Sequence, residues 1–343
     1  MHRLPGGALG NFVLLFILLG IIANSTRIWD FCYLYSNPGT DDQIRMEAQL
    51  HIVPQDQEKC TVLITGSSQT REGFDIDYLN NRFTECGAGF YNLGLSGNGS
   101  PIQMYMITDR LIDVKPDVIV YMPFVGTMNS NYSFALLKYG FEPKIMPYFL
   151  KTLGVKEIFD KQSYFIDAFT AKYIVVFKYR ESIQRIISNF LKAVISGEYR
   201  SKPTLFAYEK SRPGSYYETE ISKAKGNRYN ETRYTQMNKS LFTLFAEDVL
   251  KNDASLIVIT GPTHPKIKKC YKEALDTAYD KYFNEQAREL GFIYISEKQL
   301  PKFTEQDFID FTHLNATGRN KLSAFLGDWL LKNNMICVSK NKD

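Results

Sequence analysis

Short apolar runs rich in β-branched and aromatic residues alternate with helical patterns from residue 60 onward. This alternation restricts the fold more than any other feature of the chain, because parallel strands need crossover connections that are usually helices. The sequence therefore predicts an α/β fold whose central parallel sheet has about five strands. The predicted strands are residues 61–65, 89–93, 118–122, 255–260 and 292–295.

Helix signals lie between these runs. Ser100 and Pro101 place a capping residue before a proline at the first helical position, which predicts a helix over about 102–112. A second, longer helix is predicted over about 266–290, where Gly291 provides a C-terminal stop.

The stretch from about 129 to 252 does not continue the alternation of strands and helices. Its amphipathic and aromatic segments predict helices, and its basic residues are more typical of a solvated face than of a ligand groove. We therefore predict one large domain over 60–343 that contains a mostly helical insertion at about 130–252. One interpretation of the insertion is a cap over the functional site.

Composition argues against several function classes. The chain has 41 basic and 37 acidic residues spread along its length, so no nucleic-acid partner is predicted. Its five cysteines form no C-x-x-C pair and no zinc-like cluster with histidine, so neither a metal nor another cofactor is predicted. Because the count is odd, at least one thiol has no partner within the chain. Either Cys60 and Cys86 form a disulfide, or these cysteines are buried free thiols.

Residues 4–23 form an uncharged, largely apolar segment of about 20 residues, near the length that spans a bilayer. Arg3 precedes this segment, and four aromatic residues within 29–35 follow it as an interfacial belt would. We predict an N-terminal membrane anchor and interfacial segment over 1–35, with the rest of the chain on the periplasmic or extracellular side. A cleaved signal peptide that ends near Ala23 is the alternative.

Gly66, Ser67 and Ser68 stand where the first predicted strand turns into a helix. A serine there lies at the carboxyl edge of the sheet, where open α/β sheets bind ligands. Serines at helix starts are more often caps, so the turn alone is compatible with a nucleophile or a cap. Arg71 is either a contact for an anionic substrate or, more commonly, a surface residue of the first helix.

Asp310 and His313 lie three residues apart, shortly before a final amphipathic helix. An acid at this spacing can hold the imidazole while the ring projects over the edge of the sheet. A single Asp-x-x-His pair also occurs by chance, so the pair alone is only a candidate for acid–base chemistry.

Together these motifs resemble those of the SGNH/GDSL hydrolase superfamily. Its first block is a Gly-Asp-Ser-like turn, matched here by Gly66-Ser67-Ser68 with Ser67 in place of the usual aspartate, and its last block is Asp-x-x-His-Leu. The resemblance implies a flavodoxin-like SGNH-hydrolase fold in which Ser68 is the nucleophile, His313 the base and Asp310 the orienting acid. It covers about residues 60–128 and 253–333.

The remaining blocks concern the oxyanion. The segment Asn92-Leu93-Gly94-Leu95-Ser96-Gly97 matches the second block, which implies that the N–H groups of Ser68 and Gly97 bind the oxyanion. The third block, Gly-x-Asn-Asp, usually follows the third strand directly. Here the nearest asparagine, Asn129, comes several residues later. Either Asn129 is the third donor through a bulge, or that donor is missing.

The sequence looks most like the anchored SGNH proteins of polymer O-acylation, such as those of alginate acetylation and teichoic-acid D-alanylation. That resemblance implies serine-dependent acyl transfer or ester hydrolysis on cell-envelope or secreted polysaccharide. The implied partners are an acylated carbohydrate or acyl donor and a multi-span membrane O-acyltransferase. The alternatives are a lipase or phospholipase, and a non-catalytic protein that binds glycan or acts as a scaffold.

Overall fold

The structure is a computed structural model that describes residues 25–53, 60–96, 99–128, 134, 137–208, 235–269 and 273–337. Its centre is a sheet of five parallel strands, which confirms the α/β prediction. The strands are β1 (Cys60–Gly66), β2 (Ala88–Asn92), β3 (Val118–Met122), β4 (Ser255–Ile259) and β5 (Ile293–Ile295). Their order, β2-β1-β3-β4-β5, is that of flavodoxin-like sheets.

Helices occupy most of the remaining described chain. They are α1 (Thr26–Tyr35), α2 (Asp42–Ile52), α3 (Ser68–Gly73), α4 (Ile76–Phe83), α5 (Pro101–Asp113), α6 (Leu137–Gly140), α7 (Met146–Asp160), α8 (Gln162–Tyr173), α9 (Val175–Ser196), α10 (Thr235–Lys251), α11 (Pro265–Lys268), α12 (Glu273–Leu290) and α13 (Ala316–Lys332). Every regular element that the structure describes between β3 and β4 is helical.

The sheet divides the hydrophobic core into two layers, because successive side chains of a strand point to opposite faces. Leu63 of β1 packs in the layer covered by α5 and α10, together with Tyr121 and Phe245. Val62 and Ile64 pack in the other layer, which is covered by α4 and α13. Both faces of β1 are therefore buried, which accounts for its nearly continuous apolar sequence.

The helix over 102–112 is confirmed as α5, with Ser100 at the N-cap position and Pro101 at the first helical position. Ser100 has the extended backbone of an N-cap residue, and its side chain makes no capping hydrogen bond. The backbone N–H of Gly99 instead donates to Oε1 of Gln103 at 2.8 Å. The predicted long helix over about 266–290 corresponds to α11 and α12, with residues 270–272 outside the described residues.

The segment that follows the predicted anchor packs on α9. The ring of Trp29 lies 6.3 Å from that of Tyr179, and the rings of Phe31 and Tyr35 each lie 5.2 Å from that of Phe190. No helix among the described residues is long and apolar enough to cross a membrane. The predicted membrane span at 4–23 lies outside the described residues.

The structure joins Cys86 and Cys337 in a disulfide, so the alternative Cys60–Cys86 pair is wrong. Cys86 lies in the turn between α4 and β2, and Cys337 follows α13, which packs beside α4. Cys60 keeps its thiol, whose Sγ lies 3.5 Å from the carbonyl oxygen of Met335. The two bonded cysteines are 251 residues apart in sequence, so spacing did not reveal the pair.

Candidate active site

The turn after β1 gives its two serines different positions. Gly66 has a φ of +145°, a backbone conformation that side chains disfavour, and it redirects the chain from the strand into α3. Ser67 is the N-cap residue of α3, and its Oγ accepts a hydrogen bond from the N–H of Gln69 at 3.2 Å. Ser68 is the first helical residue and is half-buried. Ser67 therefore caps the helix, and the Ser68 hydroxyl is left for another partner.

The loop before α13 is organised around the Asp310 carboxylate. Oδ1 of Asp310 accepts hydrogen bonds from the N–H groups of Thr312 and His313, both at 2.8 Å, and from the Thr312 hydroxyl at 2.9 Å. An aspartate that accepts from the backbone two residues later closes a tight turn. The N–H of Ile309 also donates to the carbonyl oxygen of His313 at 2.9 Å. The loop thus fixes the imidazole relative to the acid.

The structure brings Ser68, His313 and Asp310 together. Nε2 of His313 lies 2.9 Å from Oγ of Ser68, and its Nδ1 lies 2.9 Å from Oδ2 of Asp310. Both contacts are within hydrogen-bond reach, which is the geometric requirement for a nucleophile, its base and an orienting acid. Asp310 and His313 are buried, with 1% and 5% of their surfaces exposed.

The charge of Asp310 determines which ring nitrogen of His313 carries the proton. Burial raises the pKa of this carboxyl, but hydrogen bonds from His313 and Thr312 outweigh burial and lower its pKa to about 2. An ionised carboxylate only accepts hydrogen bonds, so Nδ1 of His313 carries the proton that it shares with Asp310. In the neutral ring, Nε2 then presents its lone pair toward the Ser68 hydroxyl.

Gln69 joins the two halves of the site. Its Nε2 donates a 2.9 Å hydrogen bond to the carbonyl oxygen of Thr312, which lies between Asp310 and His313 in sequence. Sequence reasoning missed this contact. The signal was the position of Gln69 directly after Ser68, but nothing in its residue type indicated a partner 243 residues away.

Arg71, three residues after Ser68, is buried, so the prediction of a surface residue was wrong. Only 4% of its surface is exposed, and its guanidinium contacts Asp42 at 2.7 Å and Glu72 at 2.8 Å. Glu72 also accepts from the N–H of Ala207 at 3.0 Å, and its backbone carbonyl accepts from Nε of Arg319 at 2.9 Å. Buried charges persist when they are paired in this way. The network holds α3 against α2 and α13.

The segment 203–208 belongs to the insertion that was interpreted as a cap, and it contacts the site through residues that the sequence did not single out. The Tyr208 ring centroid is 4.5 Å from that of His313 and 5.6 Å from the Arg71 guanidinium carbon. Phe206 packs against the Arg319 guanidinium. This segment follows α9 and contains no motif, so only the tertiary fold reveals that it contacts the site.

The two further oxyanion candidates, Gly97 and Asn129, lie outside the described residues. Residues that flank Gly97 contact the nucleophile turn: the N–H of Leu95 donates to the carbonyl oxygen of Gly66 at 2.9 Å. A side chain on Gly99 would collide with the backbone of Gly66 and Ser67.

Within the described ranges, no group of three or more histidine, cysteine, aspartate or glutamate side chains is arranged to hold a metal ion. A comparison with protein-family models found no match, and a search of curated proteins found no significant match. The resemblance to SGNH/GDSL hydrolases therefore depends on the motifs and on how the structure arranges them.

Proposed function

We propose that this chain is a serine-dependent acyl-ester enzyme of the SGNH/GDSL type. The observation that carries the proposal is the hydrogen-bonded series from Asp310 through His313 to Ser68, at 2.9 Å for each step. Its position at the carboxyl edge, where β1 lies between β2 and β3, is the usual ligand site of a doubly wound sheet.

In the proposed reaction, Nε2 of His313 takes the proton of the Ser68 hydroxyl as Oγ attacks the carbonyl carbon of an ester. Asp310 stabilises the imidazolium that forms. The N–H groups of Ser68 and Gly97 bind the oxyanion, for which one lost donor typically costs about 3 kcal/mol in the barrier. The imidazolium then protonates the departing alkoxide, and water or an acceptor hydroxyl releases the acyl group from Ser68.

We further infer that the substrates are acyl esters of cell-envelope or secreted polysaccharide, with the catalytic domain anchored by residues 4–23 outside the cytoplasm. Two features support this location. The anchor prediction comes from the uncharged N-terminal segment. The Cys86–Cys337 disulfide is typical of proteins in oxidising compartments. A multi-span O-acyltransferase is the proposed partner in transfer.

Labelling with a serine-directed fluorophosphonate tests the chemistry, because an unassisted serine hydroxyl is a poor nucleophile. We expect a single labelled residue, Ser68, and loss of labelling in Ser68→Ala and His313→Ala. Ser67→Ala is the matched control and should keep its label. Labelling at Ser67, or labelling that survives His313→Ala, would contradict the proposed triad.

Polymer acylation in cells separates an enzyme from a scaffold. Cells that carry Ser68→Ala at normal expression should lose the modification if the chain transfers acyl groups to the polymer, and should accumulate it if the chain removes them. If acylation persists at the wild-type level, the cleft binds glycan or supports a partner without catalysis.

A further inference from the structure

Helix α8 exposes an apolar stripe to solvent. Ile166, Phe169 and Tyr173 are 61%, 56% and 66% exposed, and their spacing places them on one side of the helix. The opposite side packs into the core through Ala168 and Ala171, which are buried. The rings of Phe169 and Tyr173 contact each other at 5.0 Å. The helix is therefore apolar on its outer side as well as its inner side.

The predicted anchor joins the described chain close to this stripe. Trp29 contacts Tyr179 near the start of α9, and Tyr35 contacts Phe190 further along it, so α1 and α9 run in the same direction. Ser25, where the described chain begins, and Ile174, which links α8 to α9, are therefore at the same end of this helix pair. Ile174 is itself 44% exposed.

Positive charge is concentrated in helices α7 to α9 and in the residues that follow them. Residues 146–202 contain ten lysines and arginines against five acidic residues, whereas the whole chain has a net charge of only +4. A cavity of about 200 Å³ lies beside α8, and Lys172, which precedes Tyr173, lines it. In this cavity Lys172 pairs with Glu142 at 2.6 Å, and Glu47 pairs with both Arg110 and Lys178.

We propose that the outer face of α8 rests on an anionic phospholipid bilayer. Ile166, Phe169 and Tyr173 enter the boundary between headgroups and acyl chains, and exposed basic residues of the neighbouring helices, such as Lys156, face lipid phosphates. Amphipathic helices with aromatic and aliphatic residues on one side and basic flanks bind membranes in this way. The inference uses the predicted anchor but is independent of the proposed chemistry at Ser68.

The consequence is a fixed orientation of the domain. A single anchor leaves a domain free to rotate about the membrane normal and to tilt. A second contact through α8 would restrict that tilt. The active-site edge would then stay at a set height above the lipid surface.

Photo-crosslinking of the full chain tests the contact. The chain is reconstituted in vesicles of phosphatidylethanolamine and phosphatidylglycerol, with benzoylphenylalanine in place of Phe169. The matched control has the same photoprobe in place of Leu331, which is 45% exposed on α13, on the other side of the sheet. We expect lipid adducts from position 169, loss of most of them when phosphatidylcholine replaces phosphatidylglycerol, and none from position 331. Equal adducts at both positions, or none at 169, would overturn the proposal.

Three further measurements make the outcome specific. Resistance of the reconstituted chain to a carbonate wash reports the anchor alone, so failure of the anchor is distinguishable from failure of the α8 contact. Irradiation in cells distinguishes lipid from protein, and adducts at position 169 that contain only protein would overturn the proposal in favour of a protein partner.

The triple variant Ile166→Ser/Phe169→Ser/Tyr173→Ser changes only exposed side chains, so it should fold. Added protease should cleave α8 of the reconstituted variant more readily than α8 of the wild type.

Discussion

Gln69 and Thr312, which are 243 residues apart in sequence, are joined by a 2.9 Å hydrogen bond from the amide nitrogen of Gln69 to the carbonyl oxygen of Thr312. Each residue adjoins a proposed catalytic group: Gln69 follows Ser68, and Thr312 precedes His313. The distance between nucleophile and base therefore depends on this bond as well as on their own contact.

Gln69→Ala should slow turnover of an activated acetyl ester by about fivefold, because the lost hydrogen bond is worth about 1 kcal/mol and holds the base in place. The loss should appear in kcat rather than in KM. Gln286→Ala is a matched control, since Gln286 hydrogen-bonds Thr243 and Glu289 on helices away from the site. Equal rates in the two variants would show that Gln69 does not position the base.

Substitution of Ser67 should lower stability, whereas substitution of Ser68 should lower turnover. Ser67→Ala removes the cap of α3 and should lower the free energy of unfolding by about 1 kcal/mol while most turnover remains. Ser68→Ala should remove nearly all turnover, and the double variant Ser68→Ala/His313→Ala should be scarcely slower, because triad members act as a unit. Denaturant unfolding and ester hydrolysis measure the two effects. An inactive Ser67→Ala protein would place the nucleophile one residue earlier.

Asp310 should make stability depend on pH in the acid range. Its pKa is lowered to about 2 in the folded chain, so the ionised carboxylate favours folding. That stabilisation, about 2 kcal/mol, is complete above about pH 4 and is lost as the pH falls through about 2. Asp310→Asn lacks the ionisation. The difference in unfolding free energy between wild type and Asp310→Asn should therefore shrink as the pH falls from about 5 to 2.

Thr312→Val provides a related test. It removes the hydroxyl that donates to Asp310, so the pKa of Asp310 in the folded chain should rise, the stabilisation should be smaller, and its loss should be complete at a higher pH than in the wild type. Acid-unfolding curves of the three proteins check both expectations. A wild-type curve parallel to that of Asp310→Asn would contradict them.

The Cys86–Cys337 disulfide should be a major source of stability. It links residues 251 apart, and removal of a native disulfide typically costs about 2–4 kcal/mol. Cys86→Ala should lower the midpoint of thermal unfolding, and a reducing agent should lower the wild-type midpoint by a similar amount. Cys32→Ala is the control, because Cys32 is not in this bond. If reduction left the wild-type midpoint unchanged, the bond would contribute nothing to folding.

The central sheet was predictable because its strands are buried on both faces. Val62, Leu63 and Ile64 are each fully buried, and this double burial produces the apolar runs that sequence patterns detect. The candidate triad was predictable for a different reason. Its acid and base lie within one four-residue loop, its serine lies on a turn after Gly66, and the order of these motifs resembles that of the SGNH/GDSL blocks.

The features that sequence reasoning missed all depend on long-range contacts. Arg71 resembles any basic residue near the end of a short helix, and its burial results from Asp42 in another helix. Tyr208 contacts His313 only because the chain returns over the site after α9. Ser67 and Ser68 are chemically identical, and the structure distinguishes them by their partners, since the Gln69 N–H donates to Oγ of Ser67 whereas Oγ of Ser68 lies 2.9 Å from Nε2 of the distant His313.

Ser68 and His313 are 245 residues apart and meet only in the finished fold. A ribosome adds the serine 245 residues before the histidine. Under the proposed mechanism, the growing chain therefore carries an inert serine until residue 313 has been made, because the base that activates it is missing before then. Ester cleavage would begin only after the loop before α13 has docked, so a chain truncated before that loop would be harmless to the acyl groups that it meets.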